Sequence, residues 1–354
     1  MRRILIFLYG ILVFPLVMHA GNIPPADTSL TDDEKIERWL FEHKVPALGI
    51  GVIRNGTLRQ VSVYGELKSG SPAPFNTIFN VASLTKTVVC QLVLELVSTG
   101  QWDLDEPLYK YWTDPDVISD PRHEKLTARH VLTHSTGFVN WRWLHKTGKL
   151  TFDFEPGTRF QYSGEGYEYL KKALENKFNM PLTQLADSLL FKPLKMNDTH
   201  FSWADEVDET RFAVGHNEKG EPYPVEKYTR VSAADDLLTT IADYGKLSLA
   251  AMQGTGLSRK VYREMLEHQL KIKTDKYVGL GWMLYDNLGN GEYALSHGGS
   301  DNGCRTMVFL LPKSGRGLII MTNSDNGMKI IPELLKYYLG EAGEKLYEIE
   351  MSKE

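Results

Sequence analysis

The sequence predicts an α+β fold, a mixed α/β sandwich. An antiparallel sheet built from both chain ends is flanked by helices, with a central, mostly helical lobe between the two ends. Three observations carry this. Near the start, two strand-like runs at 47–53 and 58–64 bracket Arg54-Asn55-Gly56, and Asn-Gly between such runs is a strong hairpin signal. From about 90 to 270, apolar residues recur mostly at helical spacing, cut by Gly and Pro turns. After 278, short β-prone runs return, and a last apolar-periodic stretch at 330–339 predicts a closing helix.

Taken in order, residues 1–20 stand apart. Arg2-Arg3, an apolar run to Phe14 and a small residue at Ala20 read as a secretory signal peptide, with cleavage expected near Ala20-Gly21. The run is short and broken by Pro15, so no stable membrane span is expected, an uncleaved N-terminal anchor being the alternative. The mature protein is therefore expected to be periplasmic or secreted. Residues 21–30 form a polar leader, and 31–345 one folded domain. Within it, a sheet region (31–82 and 275–345) surrounds a helical lobe (83–274).

Thr31-Asp32-Asp33-Glu34 is a capping-box signature, followed by Ile36, Leu40 and Val45 on one stripe of a short helix. Helical runs are expected at 129–132, 167–178, 182–190, 241–251 and 258–268, with loops over 200–235. Strands are expected at 278–285, 292–297, 306–311 and 317–322.

With 42% hydrophobic and 24% charged residues in 354, the chain has the balance of a globular protein with a sizeable core. A net charge of -5 leaves no footprint for nucleic acid. Ten histidines are scattered and neither His-Glu-x-x-His nor Cys-x-x-Cys occurs, so no metal or other cofactor is expected. Two cysteines, Cys90 and Cys304, are too few for a disulfide scaffold. They read as buried free thiols, with a bridge as the alternative.

The chemistry centres on the stretch from Phe79 to Val89. It begins extended and becomes an apolar helical run, 88–97, that stops at Gly100. Ser83 then falls in the first helical turn and Lys86 three residues on, where hydroxyl and amine share a face. Free N–H groups and the dipole at a helix start favour developing negative charge. A serine beside an amine able to lose its proton can act as an acylation nucleophile. A bare Ser-x-x-Lys also arises by chance, and the plain alternative is a helix-capping serine with a solvated lysine.

The blocks further along resolve this. Leu104-Asp105-Glu106-Pro107-Leu108 is followed by Leu126 to Gly137, which contains Leu132-Thr133-His134-Ser135-Thr136-Gly137. Then come Glu155-Pro156-Gly157, Phe160-Gln161-Tyr162-Ser163, Val278-Gly279-Leu280-Gly281-Trp282 and His297-Gly298-Gly299. In this order they resemble the serine β-lactamase and penicillin-binding-protein superfamily, within the branch of class C β-lactamases, D,D-peptidases and related esterases. The resemblance runs from about 36 to 340, and its fold agrees with the reading above.

That resemblance implies Ser83 as nucleophile, Lys86 as its base and Tyr162 as the proton shuttle to the leaving group. It implies an oxyanion hole from the backbone N–H groups of Ser83 and Ser300, beside the substrate-binding strand His297-Gly298-Gly299. Two departures bear on substrate. Gly164 stands where many relatives carry Asn, and His297 stands where β-lactamases carry Lys, with less positive charge near neutral pH. Glu165 reads as a solvated loop carboxylate, and His134 as a structural tie for loop backbone. Trp141 and Trp143 either wall the pocket or pack in the core or on the surface.

The implied function is an exported serine hydrolase that acylates and deacylates on a small-molecule or peptide substrate: a D-amino-acid peptide, an ester or an amide. A true β-lactamase, or a slowly acylating penicillin-binding sensor with little turnover, are the alternatives. An α/β-hydrolase is disfavoured because no Gly-x-Ser-x-Gly elbow occurs.

Overall fold

The computed structural model describes residues 30–203 and 207–353, so the signal-peptide and leader stretch up to residue 29 lies outside the described residues. The chain starts with helix α1 (Asp32–His43), whose Thr31 and Glu34 form the expected reciprocal capping box. The hairpin follows as β1 (Ala47–Arg54) and β2 (Thr57–Lys68). Its turn residues Asn55 and Gly56 both take positive φ, 51° and 64°, the geometry that suits the twist of a two-residue hairpin. Short strands β3 (Ser71–Pro72) and β4 (Phe79–Asn80) lead to α2 (Thr85–Ser98).

The lobe is less helical than its periodicity predicted. Between α2 and residue 163 there is only α3 (Ala128–Leu132), amid loops and 3-10 turns. Next come α4 (Gly164–Phe178), α5 (Leu182–Ala186), a π-turn, and α6 (Lys192–Leu194). The pair β5 (Leu238–Thr239) and β4 makes a two-stranded sheet that the sequence did not announce. Then α7 (Ile241–Gln253) and α8 (Arg259–Met265) complete the lobe.

The sheet resumes earlier than expected, with β6 (Leu270–Lys273) and β7 (Lys276–Val278), then β8 (Met283–Tyr285). The run 278–285, expected as one strand, is split by a turn in which Gly281 has φ +75°. The sheet continues with β9 (Ala294–Asp301), β10 (Cys304–Leu311) and β11 (Arg316–Thr322). Helices α9 (Ile331–Leu339) and α10 (Glu341–Met351) follow, so the folded chain runs past the expected boundary at 345.

The main sheet has nine strands in the order β3-β2-β1-β11-β10-β9-β8-β7-β6, every neighbour antiparallel. Its centre joins the chain ends: Ile50 on β1 lies opposite Ile320 on β11. The period of two sorts residues to opposite faces. Leu48, Ile50, Val52, Leu318 and Ile320 pack with Ile36, Leu334, Leu335 and Leu346 from the terminal helices. Ala47, Ile53, Ile319 and Met321 pack on the other face with Ile241, Leu247 and the apolar side of α2. Strands buried on both faces account for the nearly unbroken apolar runs. Cys90 and Cys304 are free and buried, as read from the sequence.

Candidate active site

Ser83 lies in a 3-10 turn, Ala82–Leu84, that runs directly into α2, one step before the helical turn in which the sequence placed it. The turn is unusual. Ala82 takes φ +47°, a left-handed conformation that costs a non-glycine residue about 1–2 kcal/mol, and the surroundings hold it there. The Asn80 side chain accepts from the Ala82 N–H at 2.8 Å, and Thr85 Oγ1 donates to the Ala82 carbonyl at 2.6 Å. The turn leaves Ser83 half-buried, with its hydroxyl facing Lys86.

Lys86 is fully buried, which sets aside the solvated-lysine alternative. Its Nζ lies 2.9 Å from Ser83 Oγ and donates to the Ala234 carbonyl at 2.7 Å. Burial pulls its pKa down to about 8, against the opposing pull of Asp235 and Glu168. Nζ also sits 4.9 Å over the ring of Tyr162, whose hydroxyl hydrogen-bonds Ser83. Burial pushes the Tyr162 phenol upward, so it stands protonated and Lys86 is the group poised to lose a proton. The structure thus brings Ser83, Lys86 and Tyr162 together.

His134 does what its reading as a structural residue requires. Its Nδ1 accepts from the Ser163 N–H at 3.1 Å, and its ring stacks on Tyr162 with centroids 4.2 Å apart. The imidazole therefore fixes both the backbone and the ring plane of the segment that carries Tyr162.

The strand segment also arrives as expected. Beyond Ser296, β9 has β10 on one side only, because β8 ends there. Among the described residues, the opposite edge of His297, Gly298, Gly299 and Ser300 has no strand neighbour. The Gly299 backbone abuts the nucleophile turn: a Cβ on it would fall 2.3 Å from the Val81 carbonyl and 3.1 Å from Ser83 N. Only glycine allows that approach. Thr306 on β10 donates to the same Val81 carbonyl at 3.0 Å and pins the contact. Ser300 follows at the exposed end of the strand.

His297 departs from expectation. It is 3% exposed, and burial together with the Lys86 charge lowers its pKa to about 3. Its Nδ1 lies 2.8 Å from the Gly298 carbonyl, which can only accept, so Nδ1 carries the proton and Nε2 a lone pair. The group is a neutral acceptor, not a partial cation.

Glu165 departs further. It is buried in the first turn of α4 and grips Arg142, whose Nη2 donates to Glu165 Oε2 and to Asp114 Oδ2, each at 2.8 Å. Asp116 accepts from Arg142 Nη1 at 3.1 Å. Glu165 Oε1 also accepts the Arg142 backbone N–H at 3.0 Å. A guanidinium with its fixed fork can satisfy several carboxylate oxygens at once. Gly164 is not open space either. A Cβ there would lie 2.7–3.0 Å from three atoms of the Trp141 indole.

Sequence reasoning missed the floor beneath Lys86. Glu168 and Lys171 lie one turn apart on α4. In the fold, Glu168 accepts from Ser232 Oγ and Ala233 N–H at 2.8 Å, and Lys171 donates to the Val231 carbonyl at 2.7 Å. They shape the loop that presents the Ala234 carbonyl to Lys86. Beside it Asp235, Asp236 and Asp301 bring carboxylate oxygens within 4.8 Å of one another, and burial pushes the Asp235 carboxyl well above the carboxylate range.

A buried lysine on a serine at the head of an apolar helix, faced by a tyrosine and a free strand edge, defines a serine acyl-transfer centre. The Beta-lactamase family model matches residues 32–337, and the chain belongs to that family. It is 27% identical over 235 residues to esterase EstB of Burkholderia gladioli, an alignment covering 58% of this chain and 59% of that protein. It is 24% identical to penicillin-binding protein 4 of Amycolatopsis lactamdurans over 350 residues, 89% of this chain and 91% of that one.

Among solved structures, an octameric penicillin-binding protein homologue from Pyrococcus abyssi aligns at TM-score 0.75 and 22% identity. It covers 88% of this chain and 78% of that one. D-alanine carboxypeptidase AmpC from Burkholderia cenocepacia aligns at TM-score 0.72 and 20% identity, covering 88% and 97%. These structures establish the shared fold. The family and the relatives support a serine hydrolase of the β-lactamase, penicillin-binding-protein and esterase type. No helix among the described residues is long and apolar enough to cross a membrane.

Proposed function

We propose that the protein is an exported serine hydrolase that works through an acyl-serine on Ser83 and prefers neutral esters to carboxylate-ended peptides. The contact that carries the reading is Lys86 Nζ at 2.9 Å from Ser83 Oγ. With its pKa near 8, Lys86 in its amine form takes the Ser83 proton as the hydroxyl attacks the substrate carbonyl. The developing oxyanion is stabilised by the N–H groups of Ser83 and Ser300, as resemblance to the family implies. Tyr162, protonated and bonded to Ser83, hands its proton to the leaving group, and water then releases the acyl group by the reverse relay.

The preference for esters rests on His297. A D-alanyl peptide and a β-lactam both end in a carboxylate, which a lysine on this strand would pair with. The buried, neutral His297 supplies no positive charge for a carboxylate to pair with. EstB is an esterase by name, and its similarity to this chain supports the same direction.

One experiment reads both nucleophile and export. A fluorophosphonate applied to the protein recovered outside the cytoplasm should add a single covalent mass to a chain beginning at Gly21, mapped to Ser83. Equal labelling of Ser83→Ala would sink the nucleophile, and a chain still carrying residues 1–20 would sink the cleaved leader. A p-nitrophenyl ester should turn over well above D-alanyl-D-alanine peptides and a chromogenic cephalosporin. The reverse order would overturn the ester preference.

A further inference from the structure

The turn Trp141-Arg142-Trp143 is built as a wall, and its place in the site assigns it an occupant. Gly164 lies two residues beyond Tyr162, whose hydroxyl bonds Ser83, so whatever covers Gly164 borders the reacting centre. What covers it is the six-membered ring of the Trp141 indole, 2.7–3.0 Å from where a Cβ at 164 would stand. Trp143 stacks on Trp141 almost in parallel, with centroids 4.9 Å apart and planes 8° from each other. Trp143 is 50% exposed.

Neither indole is there by loose collapse. The Asn140 carbonyl accepts from the N–H groups of Gly164 and Glu165, both at 3.0 Å, and Asn140 Oδ1 accepts from Gly164 N–H at 2.8 Å. The residue between the two tryptophans, Arg142, is locked into Glu165, Asp114 and Asp116. Partly buried charge is thus committed to holding the two indoles against the start of α4. A wall held this firmly, with its outer ring half exposed, presents aromatic surface at the start of α4, two residues beyond Tyr162.

We infer that Trp141 and Trp143 form an acyl-group subsite that selects esters with a flat, apolar acyl portion, an arylacetyl group being the type case. The inference rests on the serine-hydrolase reading above and deepens it. Position 164 carries no side-chain amide, so an acyl group that needs an amide partner finds none there. Ring-on-ring contact contributes beyond simple area burial. Trp141 and Trp143 are the specificity-determining residues, and Arg142 is a positioning residue acting through them.

The test uses phenylmethylboronic acid and methylboronic acid, which bond reversibly to an active-site serine without turnover and differ only in the aryl group. In the full-length wild type, phenylmethylboronic acid should inhibit about tenfold or more tightly than the methyl compound, the amount expected from stacking and burial of one ring. Trp141→Ala should bring the ratio near one, while Trp141→Phe should keep most of it. Gly164→Asn, which must displace the indole, should collapse the ratio as Trp141→Ala does. The same ordering should appear in kcat/KM for p-nitrophenyl phenylacetate against p-nitrophenyl acetate, where the leaving group is constant. If both boronates inhibit but the ratio is near one in the wild type, or survives Trp141→Ala, the subsite is wrong and the nucleophile stands. If neither boronate reaches the wild-type enzyme, the serine-hydrolase reading falls, and the subsite with it.

Discussion

At the scale of single residues, the site is set by two buried bases with different burdens. Lys86 keeps an opposing pair of carboxylates, Asp235 and Glu168, and its pKa settles near 8. His297 gains only the Gly298 carbonyl against burial and the Lys86 charge, and falls to about 3. The sign for activity follows. The amine form of Lys86 is the competent base, and one pH unit below its pKa roughly a tenth of the enzyme holds it. The kcat/KM for a neutral ester should therefore rise about tenfold per unit below pH 8 and level off above it. No second limb should appear near pH 6.5, because His297 stays neutral throughout that range. A pH profile settles this: a limb at 6–7 that disappears in His297→Asn would overturn the assignment. Lys86→Ala and Tyr162→Phe should each lower acylation by about 10²–10⁴, the usual cost of a lost acid–base group.

At the scale of elements, the loop–helix junction around Arg142 carries a prediction of its own. Removing the guanidinium leaves Asp114 and Glu165, each 6% exposed at the side chain, without their shared partner. Arg142 itself is 32% exposed, which places the pair between the surface and fully buried cases. Arg142→Ala should then cost about 2–3 kcal/mol of stability, read as a fall in denaturant midpoint. Arg142→Lys should restore only part of it, since an ammonium lacks the fork that reaches three carboxylates. No loss in Arg142→Ala would show that the network is merely a surface feature.

The same junction shows where sequence reading runs out. Ser83, Lys86, Tyr162 and His297-Gly298-Gly299 were legible because their blocks stand in the order of a known family, which the resemblance carries onto these positions. The hairpin was legible because Asn55-Gly56 is a local turn signal, and the capping box at Thr31 because its partners lie three residues apart. The grip of Glu165 on Arg142 joins residues 23 apart through side chains of ordinary surface type, and nothing local marks it. The periodicity over 99–163 overstated helix, since tertiary burial of Trp102, Leu104, Val117, Leu126 and Phe152 needs apolar residues in loops as much as in helices. The neutrality of His297 depends on burial and on a lysine 211 positions away, which only the fold brings near.

At the scale of the whole molecule, the site exists only where the two chain ends meet. Ser83 lies just after the N-terminal strands, Tyr162 belongs to the lobe, and His297 sits on a strand whose neighbour β10 is held by β11. That strand in turn pairs with β1, where Ile50 faces Ile320, both fully buried beneath the terminal helices. Every other pairing in the sheet joins consecutive strands, and the β1–β11 seam alone fuses the meander β1–β3 with β6–β11, so the ends and the lobe should unfold as one unit even at this chain length. Ile320→Ala removes buried methylenes from the seam, and such truncations cost about 2–5 kcal/mol. The loss should appear as one earlier transition, with the midpoints for far-ultraviolet circular dichroism and for ester hydrolysis moving together. Ile320 is far from the chemistry in sequence and touches none of Ser83, Lys86 or Tyr162, so its effect can reach them only through the sheet. Hydrolysis lost while the helical signal persists would mean that the lobe folds alone and the strands dock afterwards. A single shared midpoint would show that closing the sheet across the chain ends also assembles the nucleophile turn against Gly299.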